Sequence, residues 1–269
     1  MKGSIIVSGG IGIGCVMLAL AGCSGNTGKR SVEDVKEMPV LEFEGYRYDA
    51  VAEVADSDAL DVEGGKYWRF SGKGMLPVKI GSKDISQLRD SLERLGGVLV
   101  IDKSHSDPRI ENDLTLTDLK PEEAKACNVT SNLLTVVLCS PVVVVWKNFS
   151  YSYLCQAAHG MYNTTFVNYS VDDGKMLDVK DLMKPGYEDE LRGMIRKKIK
   201  EMGVALLVPL DEVEIPKDFE MTSQGIRFVY GLYEIAPYVE GEISVEFDGY
   251  ELENIFADGV YSRYFSLAQ

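Results

Sequence analysis

Few residues of this sequence have the types and spacing of a catalytic or metal-binding site. The two histidines, His105 and His159, are far apart and form no HxxxH motif, and no CxxC motif is present. Zinc sites in proteins use closely spaced histidine and cysteine ligands, so we expect no metal. We also find no recognisable nucleophile motif or phosphate-binding loop, and we predict no catalytic residue and no cofactor.

The two histidines have different surroundings in the sequence. His105 stands near Asp107, but no nucleophile is placed near this pair, so we interpret it as an exposed loop histidine. His159 precedes Gly160 at the end of a predicted strand. A single histidine in that position typically bonds to a backbone carbonyl, and we expect the same here, with a contact to a bound ligand as the alternative.

One enzymatic alternative stays open, because glycosidases need only a well-placed pair of carboxylates. The chain has 42 Asp and Glu residues, and such a pair follows no fixed spacing in sequence. A deep cleft with two carboxyl groups about 5 to 9.5 Å apart would favour an envelope carbohydrate hydrolase. A flat aromatic surface would favour a binding protein. We interpret Asp172 and Asp173 as turn residues, since the further acids of a calcium loop are missing.

An aromatic loop is the best candidate for a binding surface. Apolar residues alternate over 226–232 and 243–247, which predicts two neighbouring strands. The segment 233–238 between them, YEIAPY, is too apolar to be only a solvated turn, so it either folds back onto the sheet or forms a contact surface. The candidate ligand-binding residues are Tyr233, Glu234, Pro237 and Tyr238 of this segment, together with His159 and Gly160.

The remaining patterns predict an α+β fold with antiparallel sheets and two main helices packed on them. The helices are expected at 82–95, with Ser82 as N-cap and Gly96 as C-cap, and at 187–202, closed by Gly203. Strands are expected at 39–59 (one strand or a pair), 66–80 (a pair around Gly72 and Gly74), 98–101, 132–145 (a central strand or a hairpin broken at Ser140-Pro141), 148–155 and 162–171.

The first residues resemble the signal of a bacterial lipoprotein. Lys2 is followed by an apolar stretch over 5–20 and then by Leu20-Ala21-Gly22-Cys23, which resembles a lipobox. A transmembrane anchor is the alternative, but the stretch is short and glycine-rich. We therefore predict a signal peptide over 1–22, lipidation of Cys23, a flexible tether over 23–38 and attachment to the bacterial cell envelope, on the outer membrane or a periplasmic face.

The charge of the chain restricts its partners. The formal charge is −14, and without residues 1–22 the chain has 27 basic against 42 acidic side chains, or −15. Nucleic acid needs Lys and Arg to neutralise its phosphates, so we expect no nucleic-acid partner. An acidic surface serves solubility, and it also attracts cationic proteins.

Three cysteines would remain after processing: Cys127, Cys139 and Cys155. An odd number cannot pair completely within the chain. If Ser140-Pro141 forms a tight turn, residues whose numbers sum to about 281 face each other in the hairpin, so Cys127 lies beside Cys155. We predict that any disulfide joins these two.

Four ordered motifs occur over residues 151–256. They are Ala158-His159-Gly160, Asn168-Tyr169-Ser170 with Asp173-Gly174-Lys175, Asp178-Val179-Lys180-Asp181-Leu182, and residues 233–238 with Gly241. With these motifs, residues 151–256 resemble the extracytoplasmic RsiV-like domain, a domain of unknown function. It occurs in lysozyme-sensing anti-sigma factors, beside some peptidoglycan deacetylases and alone in bacterial lipoproteins. Gln156-Ala157 stand where the family usually has Gly-Gly, so we expect a different local backbone there.

The resemblance implies a small α/β subdomain over 39–125 and an RsiV-like domain over 126–269. We find neither a sigma-binding segment nor a deacetylase domain and expect neither activity. Some relatives bind lysozyme, a strongly basic protein, so the resemblance also implies a ligand. We therefore expect a lipid-anchored, non-enzymatic envelope protein that binds a lysozyme-like cationic protein or a cell-wall glycan such as peptidoglycan.

Overall fold

The computed structural model describes residues 39–54, 61–98 and 114–265. A seven-stranded sheet has the order β3-β1-β2-β4-β5-β6-β7, and a three-stranded sheet has the order β10-β9-β8. The strands are β1 (Leu41–Val54), β2 (Tyr67–Ile80), β3 (Leu114–Leu116), β4 (Asn128–Cys139), β5 (Val143–Tyr153), β6 (Met161–Ser170), β7 (Lys175–Met176), β8 (Asp218–Met221), β9 (Gly225–Tyr230) and β10 (Ile243–Asp248).

Five α-helices accompany the sheets in the described residues. They are α1 (Ser86–Leu95), α2 (Pro121–Ala124), α3 (Val179–Leu182), α4 (Glu188–Met202) and α5 (Val260–Tyr264), with short 3-10 helices at Leu210–Glu212, Tyr238–Glu240 and Gly249–Leu252. The expected α+β class with two main helices, α1 and α4, is confirmed. Most strand pairs are antiparallel, but β2 and β4 run parallel.

The strand pair expected at 66–80 is wrong, because β2 continues unbroken through Gly72 and Gly74. These glycines pair with Tyr48 and Tyr46 of β1. A Cβ atom on Gly72 would lie 2.5 Å from the Tyr48 ring, so the glycine makes room for an aromatic side chain. A glycine in a strand interior marks such a close approach as readily as it marks a turn.

Strand β5 separates two hydrophobic cores because successive side chains of a strand point to opposite faces. Val143 and Val145 are buried against α4 and the small sheet. Val144 and Trp146 are buried on the other face, among residues of β1, β2 and α1. The large sheet is therefore covered on both faces at this end, which explains the nearly continuous β-branched sequence.

Helix α1 differs from its expected ends. It begins at Ser86, and the Asp84 carboxylate, not Ser82, accepts a hydrogen bond from the Ser86 amide at 3.0 Å. Gly96 has a right-handed φ of −76°, and the left-handed conformation falls on Gly97, with φ of 74°. The Gly96 carbonyl accepts a hydrogen bond from the Tyr48 hydroxyl at 3.0 Å, which holds this end of α1 over the sheet.

Helix α4 matches the prediction closely. Leu191, Ile195 and Ile199 are buried against the small sheet, and Gly203 ends the helix in the left-handed conformation with φ of 68°. Met202, expected on the same face, is 49% exposed because it stands in the last turn. The pair β9 and β10 is also confirmed, with Phe228 opposite Val245.

The predicted disulfide is confirmed. Cys127 and Cys155 are bonded, with their Cα atoms 5.4 Å apart, and they lie just outside the paired ends of β4 and β5. A bulge between Val136 and Leu138 shifts the register, so that facing residues sum to 282 or 283 instead of 281. The bridge does not include Cys139.

Several sequence predictions lie outside the described residues. These are the signal peptide and lipidated Cys23, the tether, the strand expected at 98–101 except for Val98, and His105. The boundary at residue 126 stays a prediction, and the large sheet combines β1 to β3 from before it with β4 to β7 from after it. None of the helices in the described ranges is long and apolar enough to cross a membrane.

Candidate functional site

The loop over 231–242, between β9 and β10, both folds back and presents a surface. Ile235 and Ala236 are buried in the core, and the Ile235 carbonyl accepts a hydrogen bond from the Leu207 amide at 2.9 Å. Tyr233 and Val239 point outward, with 47% and 87% of their surfaces exposed. Folding back is therefore confirmed for Ile235 and Ala236, while Tyr233 lies at the surface, where a contact with a ligand stays a prediction.

Glu242 attaches this loop to the edge of the large sheet. Its carboxylate accepts a hydrogen bond from the Thr164 amide at 2.5 Å and a second one from the Thr164 hydroxyl at 2.7 Å. Thr164 belongs to β6, whose pairing with β7 extends only over Tyr169 and Ser170. An edge strand has unpaired backbone groups that proteins usually cover, and Glu242 covers one of them.

Four side chains converge on this edge, which we call the aromatic cluster: His159, Tyr162, Tyr233 and Tyr238. The His159 and Tyr238 rings stack with centroids 3.9 Å apart and planes at 26°. The Tyr233 ring is 5.9 Å from that of Tyr238, and Tyr162 meets Tyr238 edge to face at 6.3 Å. Aromatic pairs at these separations stabilise each other beyond the area that they bury.

Hydrogen bonds fix the orientation of the cluster. The Tyr238 hydroxyl donates to the Gly160 carbonyl at 3.0 Å. His159 Nδ1 lies 3.1 Å from the same carbonyl, and Nε2 lies 3.4 Å from the Tyr233 hydroxyl. Both contacts fit the tautomer with its proton on Nδ1, in which Nδ1 donates to the Gly160 carbonyl and Nε2 accepts from the Tyr233 hydroxyl. The expected backbone-carbonyl partner of His159 is confirmed.

Two residues at this edge have unusual backbone surroundings. A Cβ atom on Gly160 would lie 2.4 Å from the Tyr151 ring, so only glycine allows the close contact. Tyr233 has a φ of 63°, which is unfavourable for a bulky residue. Such positions often occur at binding sites, where the surrounding structure maintains the strain.

Pro237 and Glu234 support the loop in different ways. Pro237 stands directly before the 3-10 helix Tyr238–Glu240, which carries Tyr238. The Glu234 carboxylate accepts a hydrogen bond from the Gly231 amide at 2.7 Å and remains exposed. The six residues predicted as a ligand-binding set therefore lie in one region of the molecule.

The surroundings of the cluster are acidic. Burial raises the pKa of Asp218 above its ordinary value, and the neighbouring carboxylates Glu234 and Glu242 raise it further. A hydrogen bond from the Phe166 amide and the charge of Lys217 act in the opposite direction without cancelling the effect. Negative charge is thus concentrated beside the aromatic rings.

Among the clefts within the described residues, one lies at this edge of the large sheet and another over its middle strands, and neither of these two offers a carboxylate pair. A cleft of about 330 Å³, lined by Tyr162, Asn163 and Leu232, contains Glu234 as its one acid. A second cleft of about 460 Å³, the sheet cleft, lies over β1, β2, β4 and β5 and contains Asp49 as its one acid. The hydrolase alternative gains no support from either. No group of three or more metal-binding side chains occurs within the described ranges.

Sequence reasoning missed Tyr162 and Glu242. Tyr162 is half-buried on β6 between the exposed Met161 and Asn163, so the strand period does not single it out as a surface residue. The contact between Glu242 and Thr164 joins residues 78 positions apart, and no local pattern indicates it.

Comparisons with known proteins identify the type of domain. Residues 180–248 match the model of a family described as "Protein of unknown function (DUF3298)". The match includes Tyr233, Glu234, Pro237 and Tyr238, whereas His159 and Gly160 lie outside it. No curated protein matches the chain.

Two crystal structures of DUF3298 proteins are similar to this chain. One, from Bacteroides fragilis, is 18% identical and has a TM-score of 0.60, with 84% of this chain and 98% of that chain covered. The other, from Pseudomonas aeruginosa, is 16% identical with a TM-score of 0.54, covering 83% and 97%. These matches do not test the RsiV-like resemblance directly. Residues 180–248 thus match the DUF3298 family, and the chain has a fold found in members of that family.

Proposed function

We propose that this chain is a lipid-anchored protein of the bacterial cell envelope that binds a cationic protein, such as a lysozyme, through the aromatic cluster. The observation that supports this most directly is the stack of His159 on Tyr238, with Tyr233 47% exposed beside it. Tyrosine is enriched at protein interfaces because its ring buries a large area and its hydroxyl still bonds to water or a partner.

The acidic residues around the cluster favour a basic protein as the partner. Glu234 and Glu242 lie close enough to Asp218 to raise the pKa of its carboxyl, and the whole chain has a formal charge of −14. Complementary charge accelerates encounter and fixes orientation, while desolvated aromatic residues supply most of the affinity. A basic protein therefore suits this surface better than an acidic one.

The envelope location rests on the lipobox-like Leu20-Ala21-Gly22-Cys23. A lipid on Cys23 would hold the aromatic cluster outside the cytoplasm, where it can meet extracellular basic proteins. Several acyl chains bind a bilayer much more strongly than one.

Hydrogen–deuterium exchange with and without lysozyme tests this assignment. We expect slower exchange of amides over 159–162 and 231–242, because binding there excludes water. Amides of the 3-10 helix Gly249–Leu252, which carries the exposed Tyr250, should be unaffected. Protection confined to other segments would place the partner elsewhere, and unchanged exchange throughout would reject lysozyme as a partner.

A further inference from the structure

The sheet cleft is a second site of different chemistry. It occupies about 460 Å³ on the open face of the large sheet, within the size range of small-ligand sites. Its lining contains three basic side chains, Arg47, Arg69 and Lys73, and one acid, Asp49. Such a basic concentration is unusual in a chain with a formal charge of −14.

Two of the basic residues stand in an unfavourable arrangement. Arg47 of β1 and Lys73 of β2 are directly opposite each other in the antiparallel register. Like charges in opposite positions destabilise a sheet, because their Cβ atoms are only about 4.5 to 5.5 Å apart. Within the described residues no ion pair joins either side chain to an acid. An anion bound between them would remove the repulsion.

The other charged pair is already neutralised. Arg69 Nε and Nη2 donate to the two carboxylate oxygens of Asp49 at 2.9 and 2.6 Å. This bidentate pair leaves the two charges of Arg47 and Lys73 for a ligand. A polyphosphate or nucleic acid carries many negative charges, which the Asp49 carboxylate and the acidic molecule around it would repel. A ligand with a single carboxylate therefore fits better.

The rest of the lining suits a sugar ring. Leu133 and Phe149 are exposed at 37% and 36%, and Phe149 stacks on Tyr162 with centroids 5.8 Å apart. Ser71 and Ser131 add hydroxyl groups beside this apolar surface. Sugars combine apolar C–H faces with many hydroxyl groups, and binding sites commonly pair an aromatic surface with a few polar groups in this way.

We propose that the sheet cleft binds a saccharide that carries a carboxylate, with Arg47 and Lys73 holding the carboxylate and Phe149 contacting the ring. This site adjoins the aromatic cluster through the stack of Phe149 on Tyr162, but Arg47 and Lys73 are not part of that cluster. The proposal does not depend on the proposed cationic partner.

The test uses a matched pair of sugars and the full-length chain in a non-ionic detergent. N-acetylmuramic acid and N-acetylglucosamine share a ring but differ in a lactyl carboxylate, and N-acetylglucosamine 6-phosphate represents a phosphate ligand. We expect N-acetylmuramic acid to shift the NMR signals of amides in β1 and β2 in a saturable manner. Binding of the neutral sugar should be about tenfold weaker or more, as for the loss of a hydrogen-bonded charge.

Variants separate a binding role from a structural one. Arg47→Gln and Lys73→Gln should each weaken binding about tenfold, while Lys200→Gln, an exposed lysine of α4, should not change it. Lys73→Gln should also leave the free energy of unfolding unchanged or raise it, because it removes a like-charge contact. A structural lysine would instead lose stability on substitution.

Four results would overturn the proposal. The first two are N-acetylglucosamine binding as tightly as N-acetylmuramic acid, and N-acetylglucosamine 6-phosphate binding more tightly than it. The third is equal affinity of Lys73→Gln and Lys200→Gln for N-acetylmuramic acid. The fourth is the absence of saturable shifts at millimolar N-acetylmuramic acid.

Discussion

The contacts of His159 lie within the protein. Its Nδ1 atom faces the Gly160 carbonyl at 3.1 Å, and its ring is covered by Tyr238 at 3.9 Å. A general base needs a free ring nitrogen within reach of a substrate proton. Here Nε2 already has the Tyr233 hydroxyl at 3.4 Å, so both ring nitrogens of the histidine contact other parts of the aromatic cluster and its backbone.

The raised pKa of Asp218 predicts that ionisation of this carboxyl lowers the free energy of unfolding. Its pKa is raised in the folded protein above the ordinary 3.8, chiefly by burial. The folded state therefore holds its proton more tightly than the unfolded state. Stability falls as pH rises from 3.8 through the higher folded pKa, and the full cost is present at neutral pH.

Asp218→Asn should therefore raise the free energy of unfolding at pH 7 and have no such effect well below pH 3.8, where the Asp218 carboxyl is protonated in both the folded and the unfolded state. The amide oxygen can still accept the hydrogen bond from Phe166. Urea denaturation at both pH values measures this, with the exposed Asp211→Asn expected to stay within about 0.5 kcal/mol of the parent. A lower stability of Asp218→Asn at pH 7 would show that its charge is compensated.

At the scale of elements, the disulfide between β4 and the end of β5 closes a loop with a sequence separation of 28. Removing it with Cys127→Ser and Cys155→Ser together should lower the free energy of unfolding by about 3 to 4 kcal/mol, because the unfolded chain gains entropy. Chemical denaturation measures the loss, and under reducing conditions the parent and the variant should become nearly equal. An equal stability under oxidising conditions would contradict this.

The attachment of the 231–242 loop to β6 makes a second prediction. Glu242→Ala removes both acceptors of Thr164 and leaves a partly buried amide unsatisfied, which should cost about 1 to 3 kcal/mol. The neighbouring Glu240→Ala is the control and should change stability by less than about 0.5 kcal/mol. Similar urea midpoints for the two variants would show that the loop is held by other contacts.

Local patterns predicted the elements that depend on nearby residues. The alternation in β9 and β10, the apolar face of α4 and the closeness of Cys127 to Cys155 across a hairpin all follow from periods and turn positions. The parallel pairing of β2 with β4 joins distant segments, and the glycines of β2 indicated a turn until the tyrosines opposite them were known. The ring contacts of His159 and the register of Arg47 with Lys73 depend on the same kind of long-range pairing.

For the whole molecule, the proposed membrane attachment rests on Cys23. Cys23→Ala should release the protein from the membrane fraction or leave it mislocalised, because lipid chains supply the hydrophobic area that binds a bilayer. Fractionation of cells followed by a carbonate wash measures this, with Cys139→Ala as the matched control. Quantitative recovery of Cys23→Ala in washed membranes would reject lipidation as the anchor.

The dependence of binding on salt concentration separates specific binding from general attraction to an acidic molecule. A formal charge of −14 attracts any basic protein at low salt. The Debye length falls from about 30 Å at 0.01 M to about 8 Å at 0.15 M, so such attraction is largely screened at physiological salt. Binding that persists there needs contacts such as those of the aromatic cluster.

Titration of lysozyme into the full-length chain by calorimetry at both salts tests the central claim most directly. At 0.15 M we expect saturable binding that Tyr238→Ala weakens by about 2 kcal/mol or more, roughly thirtyfold, as for a buried aromatic anchor. Tyr250→Ala is the matched control, because Tyr250 is 66% exposed beside Asp248 and Glu251, and it should bind like the parent. Binding that is lost at the higher salt, or that is equal in Tyr238→Ala and the parent, would contradict the account.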